Sequence, residues 1–174
     1  MKPREDQEQA IAFALDALAD HRRALLQLPT GTGKTLCGLL IAKRWLGSQR
    51  KVYILTPSVQ ALAQTIKLGQ LLGIRVTADQ GERTASRFCS VVGSTYATAW
   101  ARHQRIPRKN TLLILDECHH INYQAPVNVS MLEHFEQAVG LSATPWSIGC
   151  HGYFGHNCHV FPLSRSIAMG INCE

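Results

Sequence analysis

Apolar positions along the chain follow two rhythms. From Arg4 to Ala19, residues Ala10, Ile11, Ala14, Leu15 and Leu18 recur at three- and four-residue steps, which is the spacing of one helix face. "ALLQL" (24–28) is instead a short continuous apolar run closed by Pro29, the signature of a strand buried on both sides. After the turn "TGTGK", the helical rhythm returns in "TLCGLLIAKRWL" (35–46). "KVYILT" (51–56) predicts a second strand stopped by Pro57, and "SVQALAQTIKLGQLLG" (58–73) predicts a helix capped by Ser58. "IRVTA" (74–78), "RFCSVVGS" (87–94), "TLLILD" (111–116) and "QAVGLS" (137–142) predict four further strands. Strands alternating with helices imply an α/β domain built on a mainly parallel sheet. After Pro145 the pattern dissolves: "WSIGCHGYFGHNCH" is rich in Gly, His and aromatics without a period and reads as an irregular excursion.

Composition narrows the class. The chain has 174 residues, enough for one domain with a real core, and 45% hydrophobic against 17% charged residues marks it as globular. Lys and Arg number 18 against 12 acids, a net charge of +6, which favours an anionic partner with nucleic acid first in line. The start, "MKPREDQEQ", is polar, and no apolar run approaches the ~20 residues that cross a bilayer. Cysteines at 37, 89, 118, 150, 158 and 173 are scattered. The expectation is a cytoplasmic protein with reduced thiols and no membrane association.

Two short stretches carry chemistry. "LPTGTGKT" (28–35) lies between a predicted strand and a predicted helix, the setting of a phosphate-binding loop. Gly31 and Gly33 would let the backbone of Thr30 to Thr35 approach phosphates, Lys34 would reach the β- and γ-phosphates, and the Thr35 hydroxyl would ligate Mg²⁺. The strict pattern has Gly where this chain has Leu28. The second stretch, "DECHH", follows the apolar run 111–115. Asp116 would complete the magnesium site from the end of its strand, and Glu117 would polarise the attacking water as general base. Zinc on Cys118, His119 and His120 is the poorer reading, because adjacent histidines diverge. Cys150, His151, His156, Cys158 and His159 could in principle form a small zinc site, but their spacing matches no familiar ligand pattern.

"LPTGTGKT", "LTPSVQALAQT", "LLILDECHH" and "LSATP" occur in the order and context of the first RecA-like domain of superfamily-two helicases and translocases. Residues 4–145 resemble that domain, with the nearest likeness to the group containing restriction-enzyme helicase subunits and DEAD/DEAH-like DNA helicases. The resemblance implies a RecA-like P-loop NTPase fold, helices on both faces of the sheet, and hydrolysis of Mg²⁺–ATP. It makes Gln7 the residue that reads the adenine edge, with Arg4 nearby, and Thr30, Gly31, Thr32, Gly33, Lys34 and Thr35 the phosphate cradle. His119 would link the site to the "SAT" motif, whose Ser142 and Thr144 would couple nucleotide state to nucleic-acid grip. Thr56, Pro57 and Ser58 resemble one strand-contacting loop, and Gly93, Ser94 and Thr95 a second. Cys118 stands where many members carry Ala. The basic run 102–109 is either a phosphate-contacting strip or a solvated loop.

Members of this family work with two RecA-like domains. Residues 1–145 read as the first, and 146–174 as the excursion and an exit segment toward a second domain, in cis or in trans. The implied function is the ATP-binding part of a helicase or translocase, acting on DNA rather than RNA. The alternative is a nucleotide-gated nucleic-acid-binding module without significant turnover.

Overall fold

The computed structural model describes residues 2–20, 23–47, 50–81, 84–85, 88–145 and 149–171. Its elements run α1 (Glu5–Asp20), β1 (Arg23–Gln27), α2 (Lys34–Trp45), β2 (Lys51–Thr56), α3 (Val59–Leu71), β3 (Val76–Asp79), β4 (Val91–Thr95), α4 (Tyr96–Arg102), β5 (Thr111–Asp116), α5 (Pro126–Glu133), β6 (Gln137–Ser142), α6 (Cys150–Phe154), β7 (Cys158–Val160) and α7 (Leu163–Ala168). The strands form one seven-stranded sheet in the order β3-β4-β2-β5-β6-β1-β7. Every pairing in it is parallel.

Alternation along the strands sorts the core into two layers. Ala24, Leu26, Val52, Ile54, Leu112, Ile114, Val139 and Leu141 face α1, α2 and the end of α3. Leu25, Tyr53, Leu55, Leu113, Leu115 and Ala138 point the other way, against Ala99 of α4, Met131 and Leu132 of α5, and Cys150 and Phe154 of α6. Both faces are covered, which is why these strands read as unbroken apolar runs. The result is an α/β domain with a parallel sheet and helices on both faces, as the alternating pattern implies.

Three details depart from the sequence reading. β4 begins at Val91: Phe88 is exposed, residues 88–90 form a bend, and Arg87 lies outside the described residues. α4 and α5 are absent from the periodicity, since both are short and α5 contains Val127, Asn128 and Val129 in place of strong helix formers. The segment after Pro145 is also more regular than its composition suggests. Residues 146–148 lie outside the described residues, but α6 packs under the sheet and β7 adds a seventh strand beside β1, in register from Leu25↔Cys158 to Gln27↔Val160. A three-residue strand carries too little pattern to be seen in a sequence.

Candidate nucleotide site and adjoining loops

The C-terminal ends of the central strands, where open parallel sheets gather their ligands, bring the two chemical stretches together. Leu28 leaves β1 buried, and its N–H donates to Ser142 O at 2.9 Å, so the loop springs from a point fixed to β6. The loop then turns through Gly31 (φ 80°) and Gly33 (φ 88°), left-handed positions that suit glycine. The Thr32 hydroxyl closes the turn onto Pro29 O at 2.6 Å. From outside, α1 clamps it: Gln7 Nε2 donates to Thr32 O at 2.7 Å, and Arg4 Nη2 donates to the same oxygen at 2.9 Å. Asp6, itself buried, holds the Arg4 guanidinium at 2.9 Å. Gln7 also accepts from the Arg4 N–H at 2.9 Å. A Cβ on Gly33 would fall 2.7 Å from Gln7 Nε2, the movable end of a side chain, so it is the φ of 88° that calls for glycine here.

Lys34 and Thr35 open α2 and meet the acids at the end of β5. Lys34, buried, places Nζ 3.2 Å from Glu117 Oε1, and Thr35 Oγ1 donates to Asp116 Oδ2 at 3.0 Å. Burial raises the Asp116 carboxyl above its ordinary range, and the Thr35 hydrogen bond partly opposes that. A hydroxyl and a carboxylate side by side are the hard oxygen donors a Mg²⁺ ion takes.

Glu117 has φ 52° and ψ 51°, a left-handed conformation unusual for a residue with a side chain. Its neighbours hold the turn. Tyr96 Oη donates to Asp116 O at 2.7 Å and Tyr123 Oη donates to Cys118 O at 3.1 Å. His119 Nδ1 lies 2.9 Å from Ser142 Oγ and 3.4 Å from Glu117 Oε2, and Ser142 Oγ accepts the Thr144 N–H at 3.1 Å. Burial, with His120 alongside, lowers the His119 pKa and keeps the ring neutral near pH 7. The "SAT" segment and the carboxylate pair are thus joined through one imidazole.

Cys118 is buried beneath the turn. Its thiol contacts Cys150, and that hydrogen bond together with burial pushes it well above its ordinary pKa. Cys37, Cys89, Cys118, Cys150 and Cys158 are free thiols, and Cys173 lies outside the described residues. The His159 ring packs against Phe13, and among the described residues no three His, Cys, Asp or Glu side chains gather as a zinc site would require.

The two loops assigned to strand contact are neighbours. β2 and β4 pair with Thr56 opposite Thr95, and Thr56 Oγ1 donates to Ser58 O (3.2 Å) and Ser94 O (3.4 Å). Their six residues are not equivalent. Thr56, Gly93, Ser94 and Thr95 are buried; Ser94 Oγ donates to Asp79 O at 2.8 Å, and a Cβ on Gly93 would meet Leu62 Cδ1 at 2.6 Å. Pro57 and Ser58 are exposed, and Ser58 also caps α3 by accepting the Ala61 N–H at 3.1 Å. Tyr96 and Tyr123 are the residues sequence reasoning missed. Tyr96 directly follows Thr95, and an aromatic at a loop's exit carries no signal until its hydroxyl partner is seen. Of the basic run, Arg102 is engaged with Asp79 at 2.5 Å.

This loop–strand–acid arrangement defines the class as a helicase-type RecA-like domain. The sequence profile of the family described as "Type III restriction enzyme, res subunit" matches residues 1–147, and the chain belongs to that family. Among characterised proteins, the DNA 3'-5' translocase XPB2 of Sulfurisphaera tokodaii is 29% identical over 137 residues, which cover 77% of this chain and 30% of the translocase. The UvsW helicase of bacteriophage T4 superposes with a TM-score of 0.65 at 22% identity, over 92% of this chain and 60% of that one. A nuclease-deletion mutant of the Type ISP restriction-modification enzyme LlaGI, solved with a DNA substrate mimic, superposes with a TM-score of 0.74 at 20% identity, over 100% of this chain and 21% of that one. The chain therefore spans less than two thirds of the length of each, and under a third of the translocase and of LlaGI. Among the described residues, no helix is long and apolar enough to cross a membrane.

Proposed function

We propose that the chain is the ATP-binding domain of an ATP-dependent DNA helicase or translocase. The observation that carries this reading is the convergence of Lys34, Thr35, Asp116 and Glu117 within 3.2 Å contacts at one sheet edge. The backbone of Thr30 to Thr35 receives the phosphates and the Lys34 ammonium neutralises the terminal pair, while the buried Gln7, whose amide is engaged with Thr32 O and the Arg4 N–H, would have to exchange those bonds to read the adenine edge. Thr35 and Asp116 would hold Mg²⁺, which would supply charge neutralisation to the phosphoryl oxygens. Glu117 takes the proton of the attacking water, and the neutral His119 relays the state of that carboxylate to Ser142 and Thr144. The segments at 56–58 and 93–95 contact the nucleic-acid backbone, and the net charge of +6 favours that partner. DNA is preferred over RNA, because the translocase relative is by name a DNA enzyme.

Full activity requires a second RecA-like domain, in cis or in trans, which supplies an arginine to the transferred phosphate; that group is worth about 10³–10⁵ in rate in comparable systems. Arg165, the arginine that follows the "SATP" segment, lies over the Phe161 ring at 5.8 Å. Steady-state ATPase assays with and without single- and double-stranded DNA and RNA test the proposal. Trace hydrolysis, raised by DNA and by an added cognate second domain, is the expected result. Nucleotide binding with no turnover under any of these conditions would favour the gated binding module instead.

A further inference from the structure

The left-handed turn at Glu117 is bracketed by two phenols, one on the carbonyl before it and one on the carbonyl after it. A non-glycine residue stays in that conformation only when its surroundings impose it. The turn also sets where the carboxylate goes: Oε1 lies at Lys34 and Oε2 at His119. The two phenols reach the turn from different places. Tyr123 follows the turn in sequence, and its ring packs against Tyr153 and Phe154 at centroid distances of 5.7 and 6.4 Å. Tyr96 comes from the neighbouring strand end. It is the first residue of α4, directly bonded to Thr95, and the preceding Ser94 carbonyl accepts from Thr56, the first residue of the other loop. The Tyr96 ring cannot swing freely, because it stands edge-on to Trp100 at 5.2 Å and 90°, and Trp100 Nε1 in turn donates to Asn128 Oδ1 on α5. A displacement of the 93–95 segment therefore moves the hydroxyl that holds Asp116 O.

We propose that Tyr96 is a positioning residue: its hydroxyl ties the 56–58 and 93–95 segments to the main chain from which Asp116 and Glu117 project, so that a nucleic-acid strand held by those segments sets both carboxylates at the nucleotide, and through Asp116 the Mg²⁺-dependent grip on it. This rests on the nucleotide and nucleic-acid reading given above and names a residue through which the two sites communicate.

Binding linkage tests it without depending on turnover. The dissociation constant of a fluorescent non-hydrolysable ATP analogue with Mg²⁺ is measured with and without saturating single-stranded DNA, in the parent chain, Tyr96→Phe and Tyr123→Phe. DNA should tighten the analogue by about fivefold or more in the parent, within the usual range of coupling between sites. In Tyr96→Phe the factor should fall below about twofold, and in Tyr123→Phe, which deletes a hydroxyl off the route, it should persist. A full factor in Tyr96→Phe, equal loss in both variants, or a parent that binds the analogue without responding to DNA would overturn the proposal. A parent that binds no analogue is a different result: it removes the nucleotide site itself, and this inference with it. Hydrogen exchange on the unsubstituted chain gives a second readout that needs no variant to fold. DNA added to the analogue-bound chain should slow the amides of residues 116–119, and unchanged exchange there also contradicts the role.

Discussion

Glu117 and Asp116 are adjacent, yet their environments assign them different work. Asp116 is buried against Thr35, while Glu117 is partly exposed and held in a left-handed turn between Lys34 and His119. Glu117→Gln should therefore keep nucleotide affinity and lose about a hundredfold to ten-thousandfold in single-turnover hydrolysis, the usual cost of removing a positioned base. Equal turnover in the variant would reassign the base. Asp116 makes the opposite kind of prediction. Burial raises its folded-state pKa, so its charge costs stability at neutral pH, and the cost disappears as pH falls through the folded value toward the ordinary carboxylate range. Asp116→Asn should melt at a higher temperature than the parent at pH 7, with the gap closing on acidification, while Mg²⁺-dependent nucleotide binding weakens. A variant less stable at pH 7 would contradict the burial argument. At this scale the sequence was most legible where chemistry is carried by contiguous residues. "GTGKT" and "DE" declare themselves, whereas the bond from Tyr96 to Asp116 joins residues 20 positions apart and depends on the pairing of β2 with both β4 and β5.

The long elements, α1, α2, α3 and strands β1, β2, β5 and β6, follow from periodicity because each commits a whole face or a whole run to the core. α6 and β7 do not, being short and placed by tertiary contact, with a glycine inside α6. α6 nonetheless packs tightly. A Cβ on Gly140 of β6 would lie 2.5 Å from Phe154 Cζ and 3.1 Å from Cys118 Sγ. Gly140→Ala should thus destabilise by about 1–3 kcal/mol, the usual cost of overpacking a filled core. Adding Phe154→Leu should recover part of that loss in a double-mutant cycle followed by thermal melting. Additive effects would mean that α6 does not rest on β6 as described. The same packing explains why residues 150–160, which look like an appendage in composition, belong structurally to the sheet.

For the whole molecule, the C-terminal ends of the strands carry both the 28–35 loop and the 56–58 and 93–95 segments, so on the proposed reading grip and chemistry share a scaffold. DNA binding should be independent of sequence and should weaken steeply with salt, because exposed loop residues and net charge offer phosphate contacts without a reading helix. Salt-insensitive or strongly sequence-specific binding, measured by titration at rising ionic strength, would count against that. The isolated chain should not unwind a forked duplex, since strand separation needs two domains moving against each other around ATP. The fold was legible in outline from alternation alone, but the burial of the 93–95 segment was not: Gly93 packs against Leu62 of α3 and Val76 of the neighbouring β3, and Ser94 Oγ donates to Asp79 O of β3. The central claim, a Mg²⁺–nucleotide site built from Lys34, Thr35, Asp116 and Glu117, is tested most directly by titrating a fluorescent ATP analogue into the parent chain and Lys34→Ala, with and without Mg²⁺. Saturable binding by the parent that strengthens with Mg²⁺ and is abolished in Lys34→Ala is the predicted result; equal binding by the two proteins would contradict it.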